Sequence, residues 1–577
     1  MARFSSRRGA QSALYGAVAL LALHGAPALA QQLDYGNVDD ASGGSATGGD
    51  AGAKGRGGHS IRSAGGGART TIQPYLEVSQ NLLAELKPGD DVLTYTAIAA
   101  GVDVALNGRN TQGAVSFRYE RRITEKGNTA NGDTISGLAR VKHDLIPRTL
   151  SVEAGGLATR TRVDATGAGS LNPVATSSAT TQIYSAYAGP ALATHVGDVA
   201  VNGSYMVGYT KVDTKNGVTA VAGQPSSNIF DHSLSQSAQL SAGVRPGVIA
   251  PVGVTASGRY AQEDISNLDQ RYRELNAGVQ VTLPVTQGLA LVGDVGYQDV
   301  QVSARDAVYD VNGVPVIGSN GRFVTDKSKP RAIAYDFSGL SWDAGVMWRP
   351  SRRTSLSAFV GRRYDSTTYY GSFSYAPNAR SALGISVYDG ISGFGSSLGN
   401  ALRDVPTDFE VGRDPFNGNI SGCGIGSTGG GCVNGALASL SSSVFRARGV
   451  NATYGMTVGR LRAGIGAGYV RRKFIAARGT VLGLADGTVD ESWYVDGSVS
   501  GRLDRRSSFA VAVYSAWYNS GSAGNAKSNA VGANASYFRN LTDRLVGSAA
   551  VGIDGFSRKA APDELVASGR IALRYNF

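Results

Sequence analysis

A chain of 577 residues with 79 glycines, 26 tyrosines and 17 prolines has the composition of strands and turns, not of a proline-rich disordered chain. Its net charge of +11 is mild for that length and acidic residues are plentiful, so a nucleic-acid protein is not indicated. Two cysteines and five histidines leave no four-ligand metal set, and neither metal nor cofactor is expected.

The chain opens with a targeting segment. Arg3, Arg7 and Arg8 form a basic n-region, "SALYGAVALLALHGAPALA" is apolar, and Ala28-Leu29-Ala30 is a small-residue cleavage site. Cleavage before Gln31 removes three arginines and no acid, which leaves +8. After that segment no run of 18 apolar residues occurs, so no membrane helix is expected. Residues 31–70 are Gly/Ser-rich and nearly devoid of apolar side chains, which predicts a flexible periplasmic segment. "GGDAGAKG" within it lacks the spacing and the Ser/Thr of a phosphate loop.

From residue 72 hydrophobicity alternates with period two. In "TQGAVSFRYERRI", Val115, Phe117 and Tyr119 share one face, and Ser116, Arg118, Glu120 and Arg122 the other. Strands are predicted over 72–84, 92–106, 111–123, 132–144, 149–163, 181–194, 198–212, 231–245, 252–265, 269–284 and 288–302. They continue over 332–349, 354–366, 368–376, 381–392, 441–458, 461–475, 489–503, 507–519, 526–539, 544–557 and 564–577. Tight turns such as Asn107-Gly108 and Gly459-Arg460 alternate with long connections at about 164–180, 213–230, 303–331, 393–440 and 476–488. The longest holds Cys423 and Cys432 in "SGCGIGSTGGGCVNG", the pattern of one disulfide closing a short loop in an exported chain.

These features predict an all-β fold: a transmembrane antiparallel up-and-down barrel of about 22 strands over 71–577. Such barrels have an even strand number, short periplasmic turns and long outer loops. In lipid every backbone polar group must pair within the protein, and a closed sheet achieves this. Aromatic residues near strand ends, among them Tyr75, Tyr95, Tyr119, Tyr209, Tyr297, Trp348, Tyr364, Trp493, Tyr494, Trp517, Tyr518 and Tyr537, are expected to form interfacial girdles.

The signal segment, the hairpin series and the terminal "IALRYNF" resemble porin-type outer-membrane β-barrel proteins of Gram-negative bacteria, including alphaproteobacterial barrels of unassigned role. The resemblance covers 72–577. It implies that Ile571, Leu573, Tyr575 and Phe577 form a terminal signal read by the barrel-assembly machinery. Deleting Phe577 is therefore expected to lower surface levels more than it changes pore properties, which surface labelling and conductance measure separately.

The favoured function is a channel for small polar or anionic solutes in the cell outer membrane. Alternation places Arg118, Glu120, Arg122, Arg140, Lys142, Arg570 and Arg574 in the lumen, a net basic cluster that would tune passage or brace the wall. Outer-membrane lipids are the expected surroundings. A polysaccharide or polymer export barrel, with a periplasmic or exopolysaccharide-export partner, and an adhesive scaffold with a plugged lumen are alternatives. TonB-dependent uptake is disfavoured because only about forty Gly-rich residues precede the first strand. Catalysis is not expected: His143 and His232 adjoin Asp144 and Asp231 in sequence, and strand neighbours face opposite ways. A lumen this wide leaks unless filled, by the 393–440 loop, by 31–70 or by a partner.

Overall fold

The computed structural model describes residues 69–126, 132–163, 169–170, 180–213, 230–319, 321–378, 380–416, 418–426, 429–438, 440–521, 527–559 and 562–577. The expected targeting segment and residues 31–68 lie outside them, as does most of the 164–180 and 213–230 connections.

Twenty-two antiparallel strands form one ring. Every expected segment is a strand, and Leu461–Ile475 and Ser507–Asn519 coincide with the predicted limits. The ring closes where Arg69–Lys87 pairs with Glu564–Asn576, in a register running from Tyr75↔Asn576 to Lys87↔Leu565. The Phe577 amide extends this seam by donating to the Pro74 carbonyl at 3.1 Å. Among the described residues the ring of strands leaves no edge unpaired, which is the condition for a sheet in hydrocarbon. The structure is thus a transmembrane β-barrel.

The period-two pattern sorts side chains by face. On the first strand Tyr75, Glu77, Ser79, Asn81 and Leu83 are buried inside, while Leu76, Val78 and Leu82 are exposed outside. On the last, Ile571, Leu573, Tyr575 and Phe577 are exposed outside, and Ser568, Arg570, Ala572 and Arg574 face in. Close approach of neighbouring strands explains several glycines: a Cβ on Gly361 would collide with the Trp342 backbone, and one on Gly113 would lie 2.6 Å from the Arg140 carbonyl.

Two expectations need correction. The hairpin near residue 367 turns at Tyr364-Asp365, between strands Thr354–Arg363 and Ser366–Asn378. Both turn residues have positive φ, 55° and 52°, the tight type that matches strand twist. The girdle is also smaller than expected. Tyr119, Tyr209, Tyr297, Trp348, Trp493, Trp517 and Tyr537 face outward, but Tyr75, Tyr95, Tyr364, Tyr494 and Tyr518 are buried inside. Tyrosine suits a polar interior as well as an interface, because its hydroxyl finds partners there.

On the long-loop side, residues 305–331 fold back on themselves through the bridges Ala307↔Thr325, Tyr309↔Pro315 and Ile317↔Phe323. This arm leans across the mouth. Arg322 donates to the Phe230 carbonyl at 3.1 Å, and Asp306 accepts the Val481 amide at 2.9 Å. Leu268, Ala304, Ala307, Ala476 and Leu482 form the apolar contact beneath it.

Candidate functional site: the lumen and the loop inside it

The longest connection leaves the wall at Ser392 and returns at Val444. It contains a helix, Phe394–Asp404, a three-stranded sheet of Glu410–Arg413, Ile420–Gly426 and Gly429–Cys432, and a single helical turn, Asn434–Leu437. Cys423 pairs in register with Cys432 across the second hairpin. Cys432 is disulfide-bonded, and Cys423 is the only other cysteine in the sequence.

The helix is built for its place in the barrel. Phe394, Leu398 and Leu402 recur every four residues and are buried. They pack into an apolar recess of the wall with Ile183, Tyr187, Met206, Val212 and Phe230. The Phe230 and Phe394 rings are 4.9 Å apart. Lumen positions of a water-filled barrel are ordinarily polar, so an apolar recess at this height marks a permanent seat for the helix.

The helix N-terminus has no cap of its own: Gly393 offers no side chain. The wall supplies one. Glu263, fully buried, accepts the amides of Gly393 at 2.9 Å, Gly395 at 3.0 Å and Ser396 at 3.2 Å, together with the Ser233 hydroxyl at 2.8 Å. A carboxylate at a helix N-terminus satisfies otherwise orphaned donors and complements the helix dipole. A Cβ on Gly395 would collide with Ser233, so the approach requires glycine there.

The rest of the loop grips two further sectors. Arg413 donates to the Ser116 hydroxyl and carbonyl, both at 2.8 Å, and to the Ser136 hydroxyl at 3.0 Å. Tyr95 donates to the Phe416 carbonyl at 3.0 Å, and Ser136 to the Gly418 carbonyl at 2.7 Å. Phe416 also fills the space over Gly552. On the third side Arg472 donates to the Ala436 carbonyl at 3.1 Å, and Asn434 to Asp496 at 3.3 Å. The loop therefore spans the lumen.

Of the expected charge cluster, Arg118, Glu120, Arg122 and Arg570 join one ion network through Glu77, while Arg574, Arg140 and Lys142 lie outside it. Glu77 binds Arg118 at 2.8 Å and also Arg570. Glu120 binds Arg118 at 2.8 Å and Arg122 at 2.9 Å. Arg574 lies 2.9 Å from Asp103 and stacks over the Tyr75 ring, whose centroid is 3.3 Å away. Arg140 binds Glu153 at 2.7 Å and donates to the Val405 carbonyl of the loop. Arg140 and Lys142 do not join Arg118: the register sets Arg118 beside Ser136, and Lys142 beside Gln112. Lys142 is exposed.

The acids Glu77, Asp103 and Glu153 were missed as members of this cluster. Strand alternation places them inward too, but their pairing needs the closed ring. The opposite wall also carries buried acids, Glu263, Glu274 and Asp343. Glu274 accepts from Gln298 at 3.0 Å and from Tyr364, and Asp343 from Arg363 at 2.7 Å.

No family profile and no curated protein matches this sequence. Among solved structures it is similar to the FrpB iron transporter of Neisseria meningitidis, with 11% identity, 88% of this chain and 81% of that chain covered, and a TM-score of 0.41. It is also similar to the ferric-catecholate import receptor Fiu of E. coli K12, with 9% identity, 87% and 81% coverage, and a TM-score of 0.40. The siderophore receptor PirA of Acinetobacter baumannii has 9% identity, 89% and 81% coverage, and a TM-score of 0.37. The barrel assignment rests on the closed ring of strands itself.

Proposed function

We propose that this chain is a solute channel in the outer membrane of a Gram-negative bacterium, narrowed by its own loop over residues 393–443. The observation that carries this reading is the seating of that loop on three sectors of the inner wall. A ring of this size is wide enough to need a filling, and a built-in constriction restricts passage to small polar solutes.

Anion preference follows from which charges water can reach. On the cluster side the most accessible group is Lys142; Arg140 and Arg574 are each paired with an acid at least as accessible, Glu153 and Asp103, and add no net charge. On the facing wall Glu263, Glu274 and Asp343 are buried and spent on hydrogen bonds and ion pairs. The reversal potential of the reconstituted protein in a salt gradient tests this. Anions should pass more readily than cations, and Lys142→Glu should reduce that preference about two- to threefold with little change in total current. A cation-selective wild type would overturn the reading.

A further inference from the structure

The short-turn rim carries a one-sided arc of arginine. Along the five consecutive hairpin connections at 351–354, 378–381, 458–461, 502–507 and 540–545 there are eight arginines and two aspartates, Asp504 and Asp543. The connections of the other half of the rim, at 107–111, 146–150, 196–199, 244–253 and 286–289, hold only Arg109, Arg148 and Arg245, with Asp198.

Folding turns this scatter into a regular row. In each turn of the arc an arginine carbonyl accepts an amide from the next hairpin: Arg353 from Ala376 at 2.8 Å, Arg380 from Thr457 at 2.7 Å and Arg460 from Arg502 at 3.4 Å. The series ends with Arg506 from Asn540 and Arg544 from Asn576, both at 2.8 Å. The backbone of one arginine is thereby held at every second strand, about 10 Å from the next. Arg352, Arg353, Arg380, Arg460, Arg505, Arg506 and Arg544 are all exposed. Asp504 is spent inside its own turn, accepting the amides of Arg506 and Ser507.

The arc lies next to lipid-facing aromatics. Trp348, Tyr375, Tyr537, Tyr575 and Phe577 are exposed on the outer face at this end. Arg544 donates to the Tyr575 hydroxyl at 3.4 Å, which ties the two rows together. Aromatic rings at the interface with guanidinium groups just beyond them match the depth of lipid headgroups and their phosphates.

We propose that this rim, from Arg352 to Arg544, binds anionic phospholipid headgroups of the leaflet at the short-turn side. The inference rests on the barrel spanning a membrane but not on its acting as a channel. The full chain is placed in nanodiscs of phosphatidylcholine with a minority of phosphatidylglycerol, and the lipid it retains is quantified. Wild type should retain phosphatidylglycerol at about fivefold its bulk proportion, and added salt should reduce this. The combined variant Arg352→Gln, Arg353→Gln, Arg505→Gln, Arg506→Gln should fall to the bulk proportion, and Arg380→Gln with Arg460→Gln should fall part-way. Arg109→Gln with Arg148→Gln, on the other half of the rim, should retain the enrichment. Inserted wild type at the bulk proportion, or equal loss from the 109/148 pair, would overturn the inference. So would binding of a soluble polyanion without phosphatidylglycerol enrichment, which would assign the arc to an anionic polymer. Failure to insert at all would count instead against the membrane reading itself.

Discussion

Replacing Glu263 by alanine is expected to unseat the inner loop while leaving the barrel intact. Three helix amides and the Ser233 hydroxyl converge on that one carboxylate, and no other cap is present at Gly393. Losing charge-assisted hydrogen bonds at a buried helix N-terminus costs about 2–4 kcal/mol of docking free energy. Glu263→Gln keeps the shape but presents an amide group in place of one acceptor oxygen, and should lie between wild type and alanine. Limited proteolysis on intact vesicles would read this as faster cleavage within 394–440, and single-channel records as larger, noisier current. Unchanged protection in Glu263→Ala would show that the apolar seat of Phe394, Leu398 and Leu402 suffices alone.

The second large effect is expected at Glu77, beside the seam. Its carboxylate sits between Arg118, two strands away, and Arg570 on the last strand. All three side chains are less than a tenth exposed. Removing one partner from a buried ion network leaves uncompensated charge, at a cost of about 3–5 kcal/mol. Glu77→Ala should therefore lower the unfolding temperature of the detergent-solubilised barrel markedly, and Glu77→Gln less so. Substituting Lys142, which is exposed, should shift it little. Equal shifts for Glu77→Ala and Lys142→Ala would mean that the network does not brace the seam.

The fold was legible because its signals are local. A half-exposed strand repeats every two residues, and turns such as Asn107-Gly108 carry their own chemistry. Strand limits at 461–475 and 507–519 needed nothing more. The inner loop was legible only as a long connection with two cysteines. Its helix has a readable stripe in Phe394, Leu398 and Leu402, but glycine and serine around it mask the signal. Its cap, Glu263, comes from another strand 130 residues earlier.

The pairing within the charge cluster was illegible for the same reason. Glu77 and Arg570 are 493 residues apart and meet only when the ring closes. Alternation could say which side chains face inward, not which ones pair. The buried tyrosines show the limit of residue type as a guide. Tyr95 and Tyr494 read as interface anchors, yet Tyr95 holds the Phe416 carbonyl and Tyr494 donates to Asn451 at 3.0 Å inside the barrel.

Planar-bilayer conductance of the full chain beside a variant with 394–440 replaced by a short Gly-Ser linker tests the central claim most directly. With the loop seated across the lumen, wild type should carry a small, anion-preferring current, and the deletion should raise it about tenfold, as expected for an unfilled barrel of this width. Equal conductance in the two proteins would contradict the claim that this loop sets the passage.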